Sequence, residues 1–422
     1  MPSPLPAPAR PETVFTYAAP TLVYGKGAIN DLPYNLRDAR RILLITDAGV
    51  AATGAPDRVA ETLRAAGHEV GIYAESHIEP TDASLQHAID SARDSGPWDA
   101  YLAVGGGSSI DTAKAVNLLT TNPGELLDYV NAPIGGGRAP SQPLRPLVAV
   151  PTTTGTGSES TTICVLDVLD RHVKTGISHA RLRPTLAVVD PDLTTTQPPM
   201  VTASAGLDIL CHALESYTSR PYDRFEAKTA EQRVPYCGAN PISDMWAEQA
   251  LTLMAEAFVP AVRDGDDADA RAKMALAATL AGMGFGNAGV HVPHSNAYPI
   301  AGRVRDYRPA GYPPDEPLIP HGMAVSLTAP AAFRATFPAS PERHLRAARL
   351  LGGDGDGPQA LPAVLRRIMH DVGMPAGLRE VGYDEADVPA LVEGSLAQQR
   401  LLALAPLALT PDDLAAIFRE SL

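Results

Sequence analysis

The stretch AYLAVGGGSSIDTAKAVNLLTT, Ala100–Thr121, decides the fold. Ala100–Gly107 reads as a strand running into glycine, and Ser108–Thr121 as the helix behind it. The rhythm repeats on both sides. RILLIT (Arg41–Thr46) is a buried strand, followed by a turn and the helix PDRVAETLRAAG (Pro56–Gly67), closed by glycine. HEVGIY (His68–Tyr73) is the next strand and LQHAIDSARDSG (Leu85–Gly96) the next helix. PLVAVPTT (Pro146–Thr153) and TLAVVDP (Thr185–Pro191) supply later strands. Strands alternating with helices in this way build a parallel sheet with helices on both faces.

From about Ala203 the texture changes to long Ala- and Leu-rich helical segments, such as AGLDILCHALESYTS (Ala205–Ser219) and DARAKMALAATLAGMGFG (Asp269–Gly286). A chain of 422 residues is long for one hydrophobic core, so more than one domain is expected. The boundaries read from composition are a disordered, proline-rich leader at 1–14, an α/β unit at 15–200 and an all-helical unit at 201–422. Arg220–Ser243 and the proline-rich Arg303–Pro320 read as loops.

The formal charge of −14 argues against nucleic acid, whose phosphates need a basic footprint. No apolar run reaches the roughly 18–20 residues of a membrane span. The three cysteines, Cys164, Cys211 and Cys237, form no CxxC pair, which fits a reducing compartment. A cytoplasmic protein acting on small molecules is the expectation.

Two loops at strand ends suit a dinucleotide. In VGGGSSID (Val104–Asp111), Gly105, Gly106 and Gly107 allow close backbone approach, and Ser108 opens a helix whose free N–H groups favour a pyrophosphate. A plain strand-to-helix turn would read the same way. IGGGRAP (Ile134–Pro140) has the same glycine run but continues into proline, so it reads as loop. PTTTGTGSES (Pro151–Ser160) offers hydroxyls at Thr152, Thr153, Thr154, Thr156 and Ser158, or is an exposed turn. Ligands of such sheets bind outside the carboxyl ends of the strands. Asp47, after the first strong strand, either accepts from ribose hydroxyls, favouring NAD(H) over the 2′-phosphorylated cofactor, or caps its turn.

The helical half carries a different chemistry. Asp208 and His212 stand at i and i+4, on one helical face that is otherwise apolar. Alone the pair is ordinary, but His291, His294 and His321 follow downstream. One carboxylate with three imidazoles is a first shell for iron(II), with zinc(II) as the other ion that fits.

Taken together and in order, AVGGGSSIDTAKA, AVPTTTGTGSES, the D-x3-H helix and the histidine cluster resemble the iron-containing (group III) alcohol dehydrogenase family. FGNAGVH, YPIAG, PLIPHG, ANPISD, LDYVNAPIGGG and HALESYTSRPY make the likeness closest to its hydroxyacid–oxoacid transhydrogenase branch. The resemblance implies a dehydroquinate synthase-like fold, a Rossmann-like sheet domain followed by an all-helical metal-binding domain, and a homodimer. It implies that Gly106, Gly107 and Ser108 hold the pyrophosphate, with Gly105 and Asp111 in the same motif and Asp47 near the adenine ribose. Thr152, Thr153, Thr156 and Ser158 would line the nicotinamide side, with Lys174 at the nicotinamide ribose. Asp208, His212, His294 and His321 would hold the metal.

The family pattern H-x3-H-P-(L or I)-G is altered here. Counting back from YPIAG (Tyr298–Gly302) gives His294 the ligand role, while Tyr298 replaces the family's second histidine. A tyrosine, with its pKa near 10, relays protons less readily at neutral pH. His291 is an extra imidazole, either catalytic beside Tyr298 or simply packed. The implied reaction is hydride transfer through a nicotinamide cofactor between a hydroxy acid such as 4-hydroxybutyrate and a 2-oxo acid such as 2-oxoglutarate. Arg303, Arg305 and Arg308 are candidates to meet the carboxylates. Two alternatives stand beside it: an alcohol dehydrogenase or aldehyde reductase with freely exchanging NAD(H), and a non-catalytic metal- or nucleotide-binding protein.

Overall fold

A computed structural model describes residues 2–171, 173–314 and 317–422. The chain forms two compact units, residues 19–196 and residues 1–18 with 197–422.

The first unit is a six-stranded sheet. Its strands are β1 (Thr21–Tyr24), β2 (Arg41–Ile45), β3 (Glu69–Tyr73), β4 (Ala100–Gly105), β5 (Leu147–Pro151) and β8 (Leu186–Val189), and β6 (Ile163–Val168) and β7 (Val173–Ser178) form a separate antiparallel hairpin. The order across the sheet is β1-β8-β5-β4-β2-β3, every pairing parallel. Alternate residues of each strand feed opposite faces. Leu43 and Ile45 pack with helices α2 (Asp82–Ser95) and α3 (Gly107–Thr121) through Leu85, Ile89 and Ile110. Ile42 and Leu44 pack with Val59 and Leu63 of α1 (Ala55–Ala65). Both faces are covered, which is why these strands read as continuous apolar runs rather than alternating ones. Strand β1 and the hairpin were not legible in the sequence: TLVY is short and half exposed, and ICVLDV is almost wholly apolar although only every second residue is buried.

The order of the strands also locates a crevice. From β2 the chain moves outward to β3, and from β4 it moves the other way to β5, so the two neighbours β2 and β4 flank the switch point. Asp47 follows β2 and the glycine run ends β4, on the carboxyl side where such folds take ligands.

The second unit is helical: α4 (Pro199–Thr218), α5 (Pro241–Arg263), α6 (Ala268–Ala288), α7 (Val292–Gly302), α8 (His321–Thr336), α9 (Pro341–Leu350), α10 (Ala360–Asp371), α11 (Val388–Leu396) and α12 (Pro411–Glu420). Proline in the first turn opens α4, α5, α7, α9, α11 and α12, where its missing N–H has no partner to lose. No helix among the described residues is long and apolar enough to cross a membrane.

The expected leader at 1–14 is corrected. Met1 lies outside the described residues, but Ser3–Pro4 pairs antiparallel with Leu407–Ala408. Glu226 accepts from the N–H groups of Ala9 and Arg10, and Glu12 accepts from Lys228 N and Arg233. Asn287 on α6 closes a reciprocal pair with the backbone of Ala18. Composition signalled a segment unable to fold alone; it is ordered by strand pairing and by hydrogen bonds with the Glu226, Glu12, Arg233 and Asn287 side chains across more than two hundred positions, which composition does not carry.

The Arg233 guanidinium and several backbone N–H groups pull the Glu12 carboxyl down to about 2. A group with a lowered folded-state pKa stabilises above its unfolded value and loses that contribution as pH falls through the folded one. The arm is therefore expected to stay docked at neutral pH and to loosen as pH falls from about 4.5 toward about 2. Limited proteolysis across that range should show cleavage within residues 9–18 before the helical unit melts.

Candidate active site and metal centre

The helical unit brings one carboxylate and a set of imidazoles together from three helices. Asp208, His212 and Glu215 stand at i, i+4 and i+7 on α4, all buried. His294 lies in the first turn of α7, and His321 is the first residue of α8. Ligand atoms of Asp208, His294 and His321 all lie within 4.8 Å of one another. His212 Nε2 stands 3.5 Å from the same Asp208 Oδ1, and its ring is stacked on that of His294 at 4.7 Å.

Asp208 Oδ1 and His294 Nε2 are buried and have no hydrogen-bond partner among the described residues. Orphaned atoms of this kind are costly unless something meets them. Burial alone would raise the Asp208 carboxyl, but His212, His321 and His294 outweigh it and hold it well below the usual range. A buried carboxylate ringed by imidazole nitrogens fits a divalent cation, whose binding displaces any proton they carry.

The nitrogens are braced in different ways. His294 Nδ1 meets Glu215 Oε1 at 2.5 Å, and Glu215 Oε2 accepts from the backbone N–H of His291 at 2.5 Å. Burial lowers the His294 imidazole, yet Glu215 and Asp208 more than offset it and raise it to about 9. A carboxylate on the far nitrogen of a ligating histidine fixes the ring and strengthens it as a donor. His212 is held instead by face-to-face stacking on Phe285, with ring centroids 3.8 Å apart. Burial lowers its imidazole to about 3, so it is the neutral form a metal takes. Neither Glu215 nor Phe285 was singled out from the sequence, although Glu215 continues the Asp208–His212 face by one turn.

His291 is corrected as a catalytic candidate. It is fully buried, its Nε2 lies 3.1 Å from Thr218 Oγ1, and its ring meets Phe333 edge-on. Burial lowers the imidazole to about 4. It caps the start of α7 and hands its N–H to Glu215, so its part is to seat the brace. Tyr298 is different: its ring meets the His321 imidazole edge-on at 6.3 Å, within an apolar cluster of Phe285, Val290 and Leu401.

In the sheet unit the two expected loops touch each other. Gly106 is the N-cap of α3 and offers no side chain to its orphan N–H groups. A Cβ at Gly107 would stand 2.6–2.9 Å from the Thr156 side chain, and one at Gly106 would stand 3.2 Å from Thr153 Oγ1. The hydroxyls of Thr46, Ser76 and Thr152 are buried without partners among the described residues, each at or just past the carboxyl end of a strand. These unclaimed donors and the bare helix start fit a phosphate-bearing ligand with hydroxyls.

Asp47 accepts from Val50 N and from Ser109 Oγ, both at 3.0 Å, so it caps its turn while facing the glycine loop. Asp111 and Ser158 are not free for a cofactor. Asp111 Oδ1 accepts from Ser158 Oγ at 2.5 Å and from Lys114 Nζ at 3.0 Å, and its Oδ2 accepts from Val165 N at 2.9 Å. Lys114, wholly buried, also donates to Ser158 Oγ, Thr161 Oγ1 and the Ile163 carbonyl. Both residues are therefore corrected to supports: they pin the Thr152–Ser160 loop to α3. Lys174 pairs with Glu79 and Asp167. Of the three arginines, Arg305 pairs with Asp387 and the Gly382 carbonyl, Arg308 folds back on its own loop, and Arg303 is exposed.

Gly322 lets α8 close on α4. A Cβ there would run into the Ser204 carbonyl and come within 2.9 Å of Asp208 Cβ. Gly322→Ala is expected to cost about 1–3 kcal/mol of stability in a denaturant titration. It should also lower the metal content of purified protein, because His321 must shift with its helix.

Comparison with known proteins follows the same division. Residues 19–191 match the family model of iron-containing alcohol dehydrogenase, and residues 202–422 match the C-terminal model of the Fe-containing alcohol dehydrogenase family. The mitochondrial hydroxyacid–oxoacid transhydrogenase of Mus musculus is 43% identical, covering 100% of this chain and 92% of the relative. That of Xenopus laevis is 44% identical, covering 99% and 93%. Among solved structures, 1,3-propanediol oxidoreductase superposes with a TM-score of 0.84 at 31% identity, covering 97% of this chain and all of the other. Sulfoacetaldehyde reductase from Bifidobacterium kashiwanohense, solved in complex with NAD+, does so with a TM-score of 0.81 at 26% identity, covering 97% and 98%. The expected cytoplasmic location does not stand, since these transhydrogenase relatives are named mitochondrial. Three cysteines without a CxxC pair do not tell one compartment from another. Helical metal cradle, parallel sheet and full-length identity agree, and the chain belongs to the iron-containing alcohol dehydrogenase family, in its hydroxyacid–oxoacid transhydrogenase branch.

Proposed function

We propose that the chain moves hydride from a small hydroxy acid, such as 4-hydroxybutyrate, to a 2-oxo acid, such as 2-oxoglutarate, through an NAD(H) that stays bound. The observation that carries this is identity of 43–44% over essentially the whole chain with relatives of that name, joined to an intact carboxylate–imidazole cradle. A homodimer is part of the same reading.

Asp208, His212, His294 and His321 would hold a divalent ion, iron(II) in this family, which supplies a Lewis acid for the substrate's hydroxyl or carbonyl oxygen. Glu215 keeps His294 turned toward Asp208 Oδ1 by fixing its far nitrogen. Phe285, Val290, Tyr298 and Leu401 form an apolar wall that excludes water from the reacting carbon. The Tyr298 hydroxyl is the protein's proton-bearing group on that wall. Gly106, Gly107 and Ser108 take the pyrophosphate at the start of α3, and Thr152 and Thr153 line the nicotinamide side. Arg303, exposed where Arg305 and Arg308 are engaged, is left to meet a substrate carboxylate.

The central test mixes purified protein with 4-hydroxybutyrate and 2-oxoglutarate, adding no nicotinamide. Product formation is the expected result; turnover only with added NAD(H) and an alcohol or aldehyde would establish the freely exchanging dehydrogenase instead. Metal analysis separates the histidines. His294→Ala should abolish bound metal, while His291→Ala should largely retain it, since the backbone N–H that serves Glu215 survives the substitution. Glu215→Ala is expected to weaken metal binding by about 10- to 100-fold.

A further inference from the structure

The segment between α4 and α5 supplies no metal ligand, yet it runs to the edge of the apolar wall. Cys237 N donates to the Asn287 carbonyl at 2.7 Å and Gly238 N to that of Ala288 at 3.0 Å, at the end of α6 and just before Val290 of the wall. Tyr236, next to them, has φ +70°, a left-handed conformation that residues with a Cβ rarely adopt. Such a residue keeps its place only when its surroundings fix it, and sites of that kind gather where ligands bind. Tethers stand on both sides of this one. Glu12 holds Arg233 three residues earlier, and the two backbone bonds follow directly after it.

A third segment meets the same place. The short helix Gln399–Leu402 puts Leu401 into the wall with Phe285, Val290 and Tyr298. Leu404 lies against Gly289, where a Cβ would stand 2.3 Å from Leu404 Cδ1 and 3.3 Å from Tyr236 Cβ. Arg400, one residue before Leu401, is exposed, and its guanidinium carbon stands 5.5 Å from the centre of the Tyr236 ring. An aromatic face attracts a guanidinium and fixes where it stands. A cation is thereby set at the rim of the wall, in a chain whose net charge is −14.

The two acids of the proposed reaction differ at the reacting carbon but share one arm attached to it. In 4-hydroxybutyrate and in 2-oxoglutarate alike, that arm is two methylenes ending in a carboxylate. It calls for an apolar surface along its length and a cation at its end. We propose that Arg400, held on Tyr236, binds this shared carboxylate, so that one subsite serves the hydride donor and the hydride acceptor in turn. The inference rests on the transhydrogenase reading above and names the residue that selects acids for it. A guanidinium matches a carboxylate with two parallel hydrogen bonds, and one already placed by a ring loses little freedom when the acid arrives. 2-Oxoglutarate has a further carboxylate on the reacting carbon itself, so a site for both acids has work for Arg400 and Arg303 alike.

The test uses the full-length holoenzyme as wild type, Arg400→Met, Arg400→Lys, Tyr236→Leu and Arg303→Met. KM and kcat are measured for 4-hydroxybutyrate, for 2-oxoglutarate and for 1-butanol, which has a methyl group where 4-hydroxybutyrate has its carboxylate. Metal content and melting temperature are recorded for each protein. Arg400→Met should raise KM for both acids about 10- to 100-fold, with kcat, metal content and the 1-butanol reaction unchanged, as expected when binding alone is lost. Arg400→Lys should recover part of the loss, and Tyr236→Leu should raise both KM values about 2- to 5-fold. If Arg400→Met leaves both KM values within about twofold of wild type, or if Arg303→Met raises both in its place, the assignment is overturned and the transhydrogenase reading stands. An equal loss on 1-butanol would make Arg400 a structural residue and also overturn it. A wild type that oxidises 4-hydroxybutyrate only with added NAD+ overturns the bound-cofactor reading alone, since the KM comparison for that acid is then made with NAD+ present. A wild type that leaves 4-hydroxybutyrate untouched under either condition overturns both.

Discussion

A carboxylate oxygen buried without a protein donor organises the helical unit. Asp208 is 2% exposed, and among the described residues its Oδ1 faces the imidazole nitrogens of His212, His294 and His321, at 3.5–3.9 Å. Sealing an anion away from water is among the most expensive things a fold can do, and it is tolerated when opposite charge is available. The rest of the unit follows from that need. Helix α4 presents its polar face inward, α7 and α8 each deliver a histidine from their first turn, and Gly322 keeps the last contact close. Glu215 and Phe285 then remove the freedom of two rings that would otherwise rotate.

The sheet unit holds the opposite case. Lys114 is a buried cation, but Asp111, Ser158, Thr161 and the Ile163 carbonyl satisfy it completely. Nothing is left for a ligand to do there. The contrast separates a site from a support: both are charged, buried and rich in family motif residues, yet only the helical one leaves atoms unanswered. In the sheet unit the unanswered atoms are elsewhere, in the hydroxyls of Thr46, Ser76 and Thr152 and the bare start of α3.

The parallel architecture was legible because burial on both faces leaves long apolar runs, as in RILLI and AYLAVG. Asp208 and His212 stood out because a polar pair on an apolar helix face demands a reason; His294 and His321 joined them only through the downstream histidine cluster and the family resemblance. What was not legible depended on partners distant in sequence. Asp111 and Ser158 are 47 residues apart, and only the fold reveals that they spend their hydrogen bonds on each other. Counting back from YPIAG set His294 apart from His291, but where the His291 ring goes was not legible: with φ −139° and ψ −112° at His291, its ring meets Thr218 while that of His294 faces Asp208. Tyr236 gave no signal, since a left-handed φ is invisible in a residue type that usually avoids it.

The pairing of residues 3–18 with the helical unit makes that unit discontinuous along the chain, with all of residues 19–196 inserted between its two parts. A ribosome therefore completes the sheet unit long before the partners of the first segment exist. The inserted unit has its own two-faced core and can fold as it emerges. The opening segment must wait, unpaired, until Asn287, Glu226 and finally Leu407–Ala408 arrive. Assembly of the metal-binding half is thereby tied to the arrival of Leu407–Ala408, and loss of either pairing segment strands the other.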